Sequence, residues 1–190
     1  GRARLADLAD DLRARQAGLE PDDTAMMVFT SGSTGLPKAA VVSNRRLLIS
    51  AGLSHLLGLR CNEQDRIYLC LPLYHGTGLF LGFGAALLSG ACVIVRRKFS
   101  ASAFLPEVRE HRANCFIYIG ELCRYLTNIP EQADDAQNPL HSIMGNGMRP
   151  DIWMNFKQRY GINRVCEFYG ASEGNVSFAN LMNKDMTVGM

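Results

Sequence analysis

Gly78–Val95, GLFLGFGAALLSGACVIV, is a run of eighteen residues without a charge. By length alone it reaches the threshold for a membrane-spanning helix. Its composition argues for something else. Four glycines and a serine are spread through it, and its end, Cys92–Val95, is rich in β-branched residues in the manner of a strand. Pro72 and His75, just upstream, suit a loop that leads into a helix. The reading is a buried helix followed by a buried strand, which makes the chain an α/β protein rather than a membrane-embedded one.

The same rhythm continues on both sides. Apolar runs that read as buried strands are Met26–Thr30, Ala39–Val42, Ile67–Leu71, Cys92–Val95, Cys115–Ile119 and Val165–Tyr169. Helical patterns separate most of them: Arg45–Leu57, Leu79–Leu88, Ala103–His111, Glu121–Asn128 and Asp151–Tyr160. Leu5, Leu8 and Leu12, with aspartates between them, suggest a short amphipathic helix leading in. Alternation of this kind predicts largely parallel pairing. Pro130–Pro139, PEQADDAQNP, reads as a surface loop rather than a domain linker. In such sheets function sits in the loops at the strand ends.

Composition bounds the function. The 190 residues are 47% hydrophobic and 20% charged, ordinary for a globular chain, with a net charge of +2. That balance, without a basic block, gives no phosphate footprint and excludes a nucleic-acid partner of that kind. The six cysteines form no C-x-x-C pair and lie among apolar neighbours, as reduced buried thiols do. No signal-peptide pattern follows Arg2 and Arg4, so a cytoplasmic location is expected. The chain starts at Gly1 and stops at Met190, and the expectation is a piece of a longer protein.

The most informative loop is Thr30–Lys38, TSGSTGLPK, directly after a strand. Gly32 and Gly35 let backbone N–H groups approach phosphate oxygens, Ser31, Ser33 and Thr34 add hydroxyl donors, and Lys38 adds charge. A plain Gly/Ser turn is the other reading of such a composition. It is not a Walker A loop, because Pro37 stands where that motif needs glycine and a strand follows where it needs a helix.

TSGSTGLPK resembles the phosphate-binding signature of the adenylate-forming superfamily, which comprises acyl-CoA synthetases, luciferases and the adenylation domains of peptide synthetases. Two further segments in the same order strengthen the likeness: Leu71–Gly78 (LPLYHGTG) and Phe168–Asn175 (FYGASEGN). Val95–Ser102 (VRRKFSAS), Tyr118–Leu126 (YIGELCRYL), Gly145–Pro150 (GNGMRP) and Glu167–Asn175 are similar to the very-long-chain acyl-CoA synthetase and fatty acid transport protein branch.

The resemblance implies a fatty acyl-CoA synthetase. A fatty carboxylate would attack the α-phosphate of ATP to give acyl-AMP and pyrophosphate, and CoA would then displace AMP. It implies that Thr30, Ser31, Gly32, Ser33, Thr34, Gly35 and Lys38 hold the phosphates, and that Glu173 binds Mg²⁺. It further implies that Gly145, Asn146 and Gly147, which follow a predicted strand, pass beside adenine. Tyr169 would lie against the adenine ring, with Gly170 beside it, and Ser172, where threonine is commoner, would reach the α-phosphate. Lys38, Thr34, Ser172 and Glu173 would carry the chemistry. His75 would stand at the carboxylate entrance, and Gly120, within Tyr118–Leu122, would help line an acyl site together with Gly78–Gly90. A buried core is the other reading of those small and apolar residues.

The fold expected is α/β, the central part of the large N-terminal domain, with 1–190 a partial AMP-binding unit. The ribose-binding aspartate, the hinge and the catalytic lysine of the family would then lie beyond Met190, and the piece alone would be inactive. Peripheral membrane association of the full-length protein stays open, as do chain length of the acyl group and oligomeric state. Two other outputs remain: an adenylation domain serving a carrier-protein thiol, and a non-catalytic nucleotide- or lipid-binding module.

Overall fold

The computed structural model of the protein describes residues 10–30, 38–171, 174 and 177–189. Residues 10–16 are helical (α1), in keeping with the amphipathic lead-in; Leu5 and Leu8 of that pattern lie outside the described residues. β1 (Thr24–Thr30) and β2 (Lys38–Ser43) then form a two-stranded antiparallel ribbon of their own. This departs from the parallel pairing expected of those two runs. A parallel crossover needs about a dozen residues or more, and seven separate the strands, so only an antiparallel return is open to them.

α2 (Asn44–Leu53) starts where the Ser43 side chain accepts from the Arg46 N–H at 3.3 Å. It continues as a π-helical segment, Ser54–Leu59, and stops at Arg60, whose φ of 54° is left-handed. The charge-free run folds as a helix followed by a strand, but the strand is not buried as expected: Cys92 and Val95 are exposed, because Cys92–Val95 forms the edge of its sheet. Thr77–Phe83 is π-helical, α3 (Gly84–Ser89) follows, and Gly90 at φ 76° ends the helix before β4 (Cys92–Val95). Seven and six helical residues fall short of the roughly 20 a bilayer requires. No helix among the described residues is long and apolar enough to cross a membrane.

The glycines of that run allow close packing. A Cβ on Gly82 would stand 2.8 Å from Leu69, and one on Gly84 would stand 2.8 Å from Ala51. Backbone thus presses on β3 (Arg66–Leu69) on one side and α2 on the other.

β3, β4, β5 (Cys115–Ile119), β6 (Ser142–Asn146) and β7 (Arg164–Gly170) are mutually parallel, in the order β4-β3-β5-β6-β7. β8 (Ser177–Ala179) closes the sheet antiparallel to β7. α4 (Ala101–Glu110), α5 (Gly120–Asn128) and α6 (Pro150–Arg159) connect them. β6 carries only two large apolar residues, Ile143 and Met144, and β8 has three residues in all, so neither has a run that periodicity could detect.

The core lies on this sheet. Tyr68, Phe104, Phe116, Tyr118, Trp153, Phe156 and Tyr160 are buried, with Tyr68 and Phe104 meeting edge to face at 5.2 Å. Buried hydroxyls are satisfied: Tyr68 donates to Glu107 at 2.6 Å, and Tyr160 to the Leu126 carbonyl at 3.0 Å. The Pro130–Pro139 segment is an irregular loop, as expected, but it is anchored. Asp135 and Arg159, almost wholly buried, pair at 2.6 Å, and Arg159 also donates to the carbonyls of Ile129 and Pro130. All six cysteines are free, and only Cys92 is exposed. Burial pushes the Cys70 thiol up to about 12 and that of Cys166 up to about 11, so both stay protonated and unreactive at neutral pH.

Candidate functional site

Parallel strands end together. The carboxyl ends of β3, β5, β6 and β7 therefore lie along one margin of the sheet. From β3 the chain runs to β4 on one side, then returns past β3 to β5 on the other. Such a reversal opens a crevice outside the strand ends, the usual place for a ligand in an open α/β sheet.

Of the residues singled out from sequence, His75, Gly120, Gly145, Asn146, Gly147, Tyr169 and Gly170 lie at or just beyond these strand ends. The Leu71–Gly78 loop follows β3. His75 is exposed there, its ring 4.7 Å from that of Tyr74, and its carbonyl accepts the Leu79 N–H at 2.9 Å. Gly78 is needed for the turn into the helix, since a Cβ would stand 2.6 Å from the Pro72 carbonyl.

Gly120 begins α5 directly after β5 and is buried. Any side chain on it would overlap the Gly147 carbonyl. Two segments that the sequence treated separately thus touch through backbone. That contact gives Gly120 a packing reason to be glycine, while Ala85, Ala86, Tyr118 and Leu122, all proposed for an acyl wall, lie in the hydrophobic core.

Gly145 and Asn146 do not follow a strand; they are the last residues of β6, paired with Tyr118 and Ile119 of β5. Gly147 alone makes the turn, at φ 83°. Asn146 Oδ1 is buried at this strand end and has no hydrogen-bond partner among the described residues.

Tyr169, near the end of β7, is 60% exposed. With Phe178, Val188 and Gly189 it lines an open depression of about 460 Å³. Gly170 pairs with Ser177 of β8, and a Cβ there would meet nothing closer than 3.8 Å. The loop beyond leans on α2: Arg46 donates to the Ala171 carbonyl at 3.4 Å, and Gly174, at φ 72°, leaves room for the Arg46 guanidinium.

Thr30 and Lys38 face each other as the terminal pair of the β1–β2 ribbon, with the Lys38 side chain exposed. Ser31, Gly32, Ser33, Thr34 and Gly35, as well as Ser172 and Glu173, lie outside the described residues.

Residues 3–190 match the family described as AMP-binding enzyme. This chain is a member of the AMP-binding enzyme family. It is 45% identical over 177 residues to the medium/long-chain-fatty-acid–CoA ligase FadD6 of Mycobacterium tuberculosis, covering 93% of this chain and 30% of that protein. It is 44% identical over 165 residues to long-chain fatty acid transport protein 5 of Mus musculus, covering 87% of this chain and 24% of that protein. The chain thus spans between about a quarter and a third of the length of these relatives. Among solved structures, ATP-bound MatB from Rhodopseudomonas palustris superposes with a TM-score of 0.77 at 24% identity, over 90% of this chain and 34% of that one. The luciferase-like enzyme of the Zophobas morio mealworm gives 0.73 at 24% identity, over 90% and 41%. These likenesses establish the α/β fold.

In this AMP-binding chain one residue at the site margin has a role that the sequence reading, which quoted it only as the start of Glu167–Asn175, did not assign. Glu167 of β7 is 2% exposed. It accepts from the Tyr118 hydroxyl through Oε2 and from the Met148 N–H at 3.0 Å through Oε1. Burial raises its carboxyl above the ordinary carboxylate range against the pull of these bonds. Glu167 therefore fixes the chain just past Gly147 to the neighbouring strands. A lone glutamate in an apolar strand pattern was the available signal, because a buried carboxylate must have partners.

Proposed function

We propose that the protein containing this chain is an ATP-dependent ligase for long- or very-long-chain fatty acids. It forms acyl-AMP with release of pyrophosphate and then passes the acyl group to CoA. This chain is the central part of its N-terminal AMP-binding domain. The observation that carries the reading is the 45% identity to a fatty-acid–CoA ligase over 93% of the chain.

The geometry supports it in three places. The Tyr169 ring is free to take a flat apolar partner such as adenine. The backbone of Gly145–Gly147 runs without side chains at the next strand end, and the unpaired Asn146 Oδ1 beside it suits an amino group. Lys38 presents a cation at the end of the ribbon, where Thr30–Gly35 would add backbone and hydroxyl donors around the phosphates. His75 would face the carboxylate as a positioning group; no base is needed there, because a fatty acid is already ionised at neutral pH.

Charge accumulates around the α-phosphorus as the carboxylate displaces pyrophosphate, and fixed donors such as Lys38, Thr34 and the Ser172 hydroxyl would lower that cost. Glu173 offers the hard oxygen that Mg²⁺ prefers, and the ion would supply charge neutralisation on the phosphates when bound. The alternative thiol acceptor is a carrier protein. Peripheral contact with a membrane and a cytoplasmic setting belong to the same proposal.

The test is ATP–pyrophosphate exchange and acyl-CoA formation by the full-length protein with fatty acids of graded length. Lys38→Ala, Thr34→Ala and Glu173→Gln are expected to lower exchange by about 10²–10³-fold with the melting temperature unchanged. Exchange that persists at the parental rate in all three overturns the site assignment. Acyl transfer to a carrier-protein thiol and not to CoA overturns the ligase reading.

A further inference from the structure

The opposite margin of the sheet, where the parallel strands begin, carries a second cluster that the adenylation reading does not use. Asp65 immediately precedes β3, Cys115 is the first residue of β5, and His141 immediately precedes β6. These are three adjacent strands, and their pairing starts here: Ile67 opposite Cys115, and Cys115 opposite Ser142. One ligand atom from each of the three side chains lies within 4.8 Å of the others. We propose that Asp65, Cys115 and His141 form a binding site for a single zinc-like divalent cation, remote from the nucleotide margin.

The donor set points to the cation. One thiolate, one imidazole and one carboxylate form the mixed S/N/O set that Zn²⁺ accepts, and they exclude the all-oxygen shell of Mg²⁺ or Ca²⁺. With Zn²⁺ bond lengths, donors at tetrahedral angles stand about 3.3–3.6 Å apart. His141 Nε2 and Asp65 Oδ1 are already 3.7 Å apart, too far for a hydrogen bond and close to the span of two ligands on one ion. Three protein donors leave the fourth position for water. The Cys115 proton passes to solvent on binding, so two anionic ligands balance the charge of the ion.

The surroundings are those of a prepared site. Asp65 is held from behind: Oδ2 accepts the Asn62 N–H at 2.7 Å, and Oδ1 accepts from Asn114 Nδ2 at 2.7 Å. Asn114 is itself oriented, because its Oδ1 accepts the Arg66 N–H at 2.8 Å. Such supporting amides fix the direction of a ligating carboxylate. The backbone of His141 is tied down as well, donating to the Asn114 carbonyl at 3.0 Å and accepting from Asn163 and Arg164. Cys115 is fully buried and Asp65 nearly so, while the His141 side chain is 44% exposed. His141 is thus the entry side, and a small turn of its ring closes the remaining gap.

The experiment uses the full-length protein stripped with a chelator and titrated anaerobically with Co²⁺ as the probe. The expected result is a near-ultraviolet thiolate-to-cobalt band that saturates at one ion per chain and is displaced by Zn²⁺. His141→Ala, at an exposed position that does not threaten folding, and Cys115→Ser each abolish the band. Asn114→Ala weakens Co²⁺ binding about tenfold or more. Cys61→Ser, at a thiol outside the trio, leaves the band in place. No band at saturating Co²⁺, or a band that survives His141→Ala, overturns the site. Pyrophosphate exchange, measured in parallel, reports separately on the nucleotide margin.

Discussion

The Tyr118 hydroxyl donates to the carboxylate of Glu167, a bond that reaches from β5 to β7 past the intervening β6, made where both side chains are buried. Its second oxygen takes the Met148 N–H. Glu167→Ala leaves both donors buried without an acceptor and should cost about 3 kcal/mol in chemical denaturation. Glu167→Gln keeps an acceptor for Met148 and a donor for the Tyr118 oxygen. The two substitutions also differ from the parent in pH dependence. The carboxyl is raised in the folded state, so the folded parent holds its proton longer than the unfolded chain does. Parental stability therefore falls as pH climbs from the unfolded carboxylate value of 4.5 towards the raised folded value. Glu167→Gln should remove that fall and gain on the parent with rising pH over this window. Parallel stability curves from pH 4 to 8 would contradict the assignment.

Gly120→Ala should be costly out of proportion to one methyl group. The obstacle is backbone, the Gly147 carbonyl, which cannot rotate away. We expect a loss of about 2–3 kcal/mol, accompanied by displacement of the Gly145–Gly147 turn. Gly170→Ala is the control, because its nearest neighbour would be an ordinary contact at 3.8 Å. It should change stability by no more than about 0.5 kcal/mol. Any fall in adenylation by that variant then reports on ligand approach and not on packing.

Arg159→Met strands the Asp135 carboxylate in the interior of the Pro130–Pro139 anchor. Breaking a buried pair from one side costs about 3–5 kcal/mol. Adding Asp135→Asn should recover a large part of it, and a double-mutant cycle by urea denaturation measures the recovery. If the two single losses simply add, the residues do not act as a pair.

Ser172 carries the hydroxyl proposed to reach the α-phosphate. Ser172→Thr should keep or slightly raise pyrophosphate exchange in the full-length protein, since the added methyl restricts the rotamer. Ser172→Ala should lower it by about tenfold or more through loss of the donor. Equal rates for Ala and Ser would remove Ser172 from the site.

Much of the architecture was legible because burial on both faces writes itself as uninterrupted apolar runs. Cys115–Ile119 is such a strand, with the bounds its composition suggests; Cys92–Val95 also has its expected bounds, although it is a partly exposed edge strand. β6 was harder. Gly145 and Asn146 look like a turn, yet both lie in the strand, because the close approach of Tyr118 leaves no room for a side chain at Gly145. The antiparallel ribbon was decidable from seven intervening residues, had loop length been weighed against strand direction. Tyr169 and the LPLYHGTG loop were singled out only by resemblance to motifs. Glu167 carries no motif meaning of its own, and its role depends on Met148 and Tyr118, distant in sequence and adjacent only after folding.

β3 has its partners on two sides, and they are made at different times. The ribosome delivers Cys92–Val95 first, so β3 and β4 can pair while the far edge of β3 still waits for Cys115–Ile119. Until β5 emerges, this inner strand of the sheet is temporarily an edge strand, with the pairing edge of Ile67 and Leu69 uncovered. The nascent chain is most vulnerable to mispairing in that interval, and synonymous changes that slow translation between Arg96 and Asn114 should lower the yield of soluble protein without altering a single contact of the finished fold.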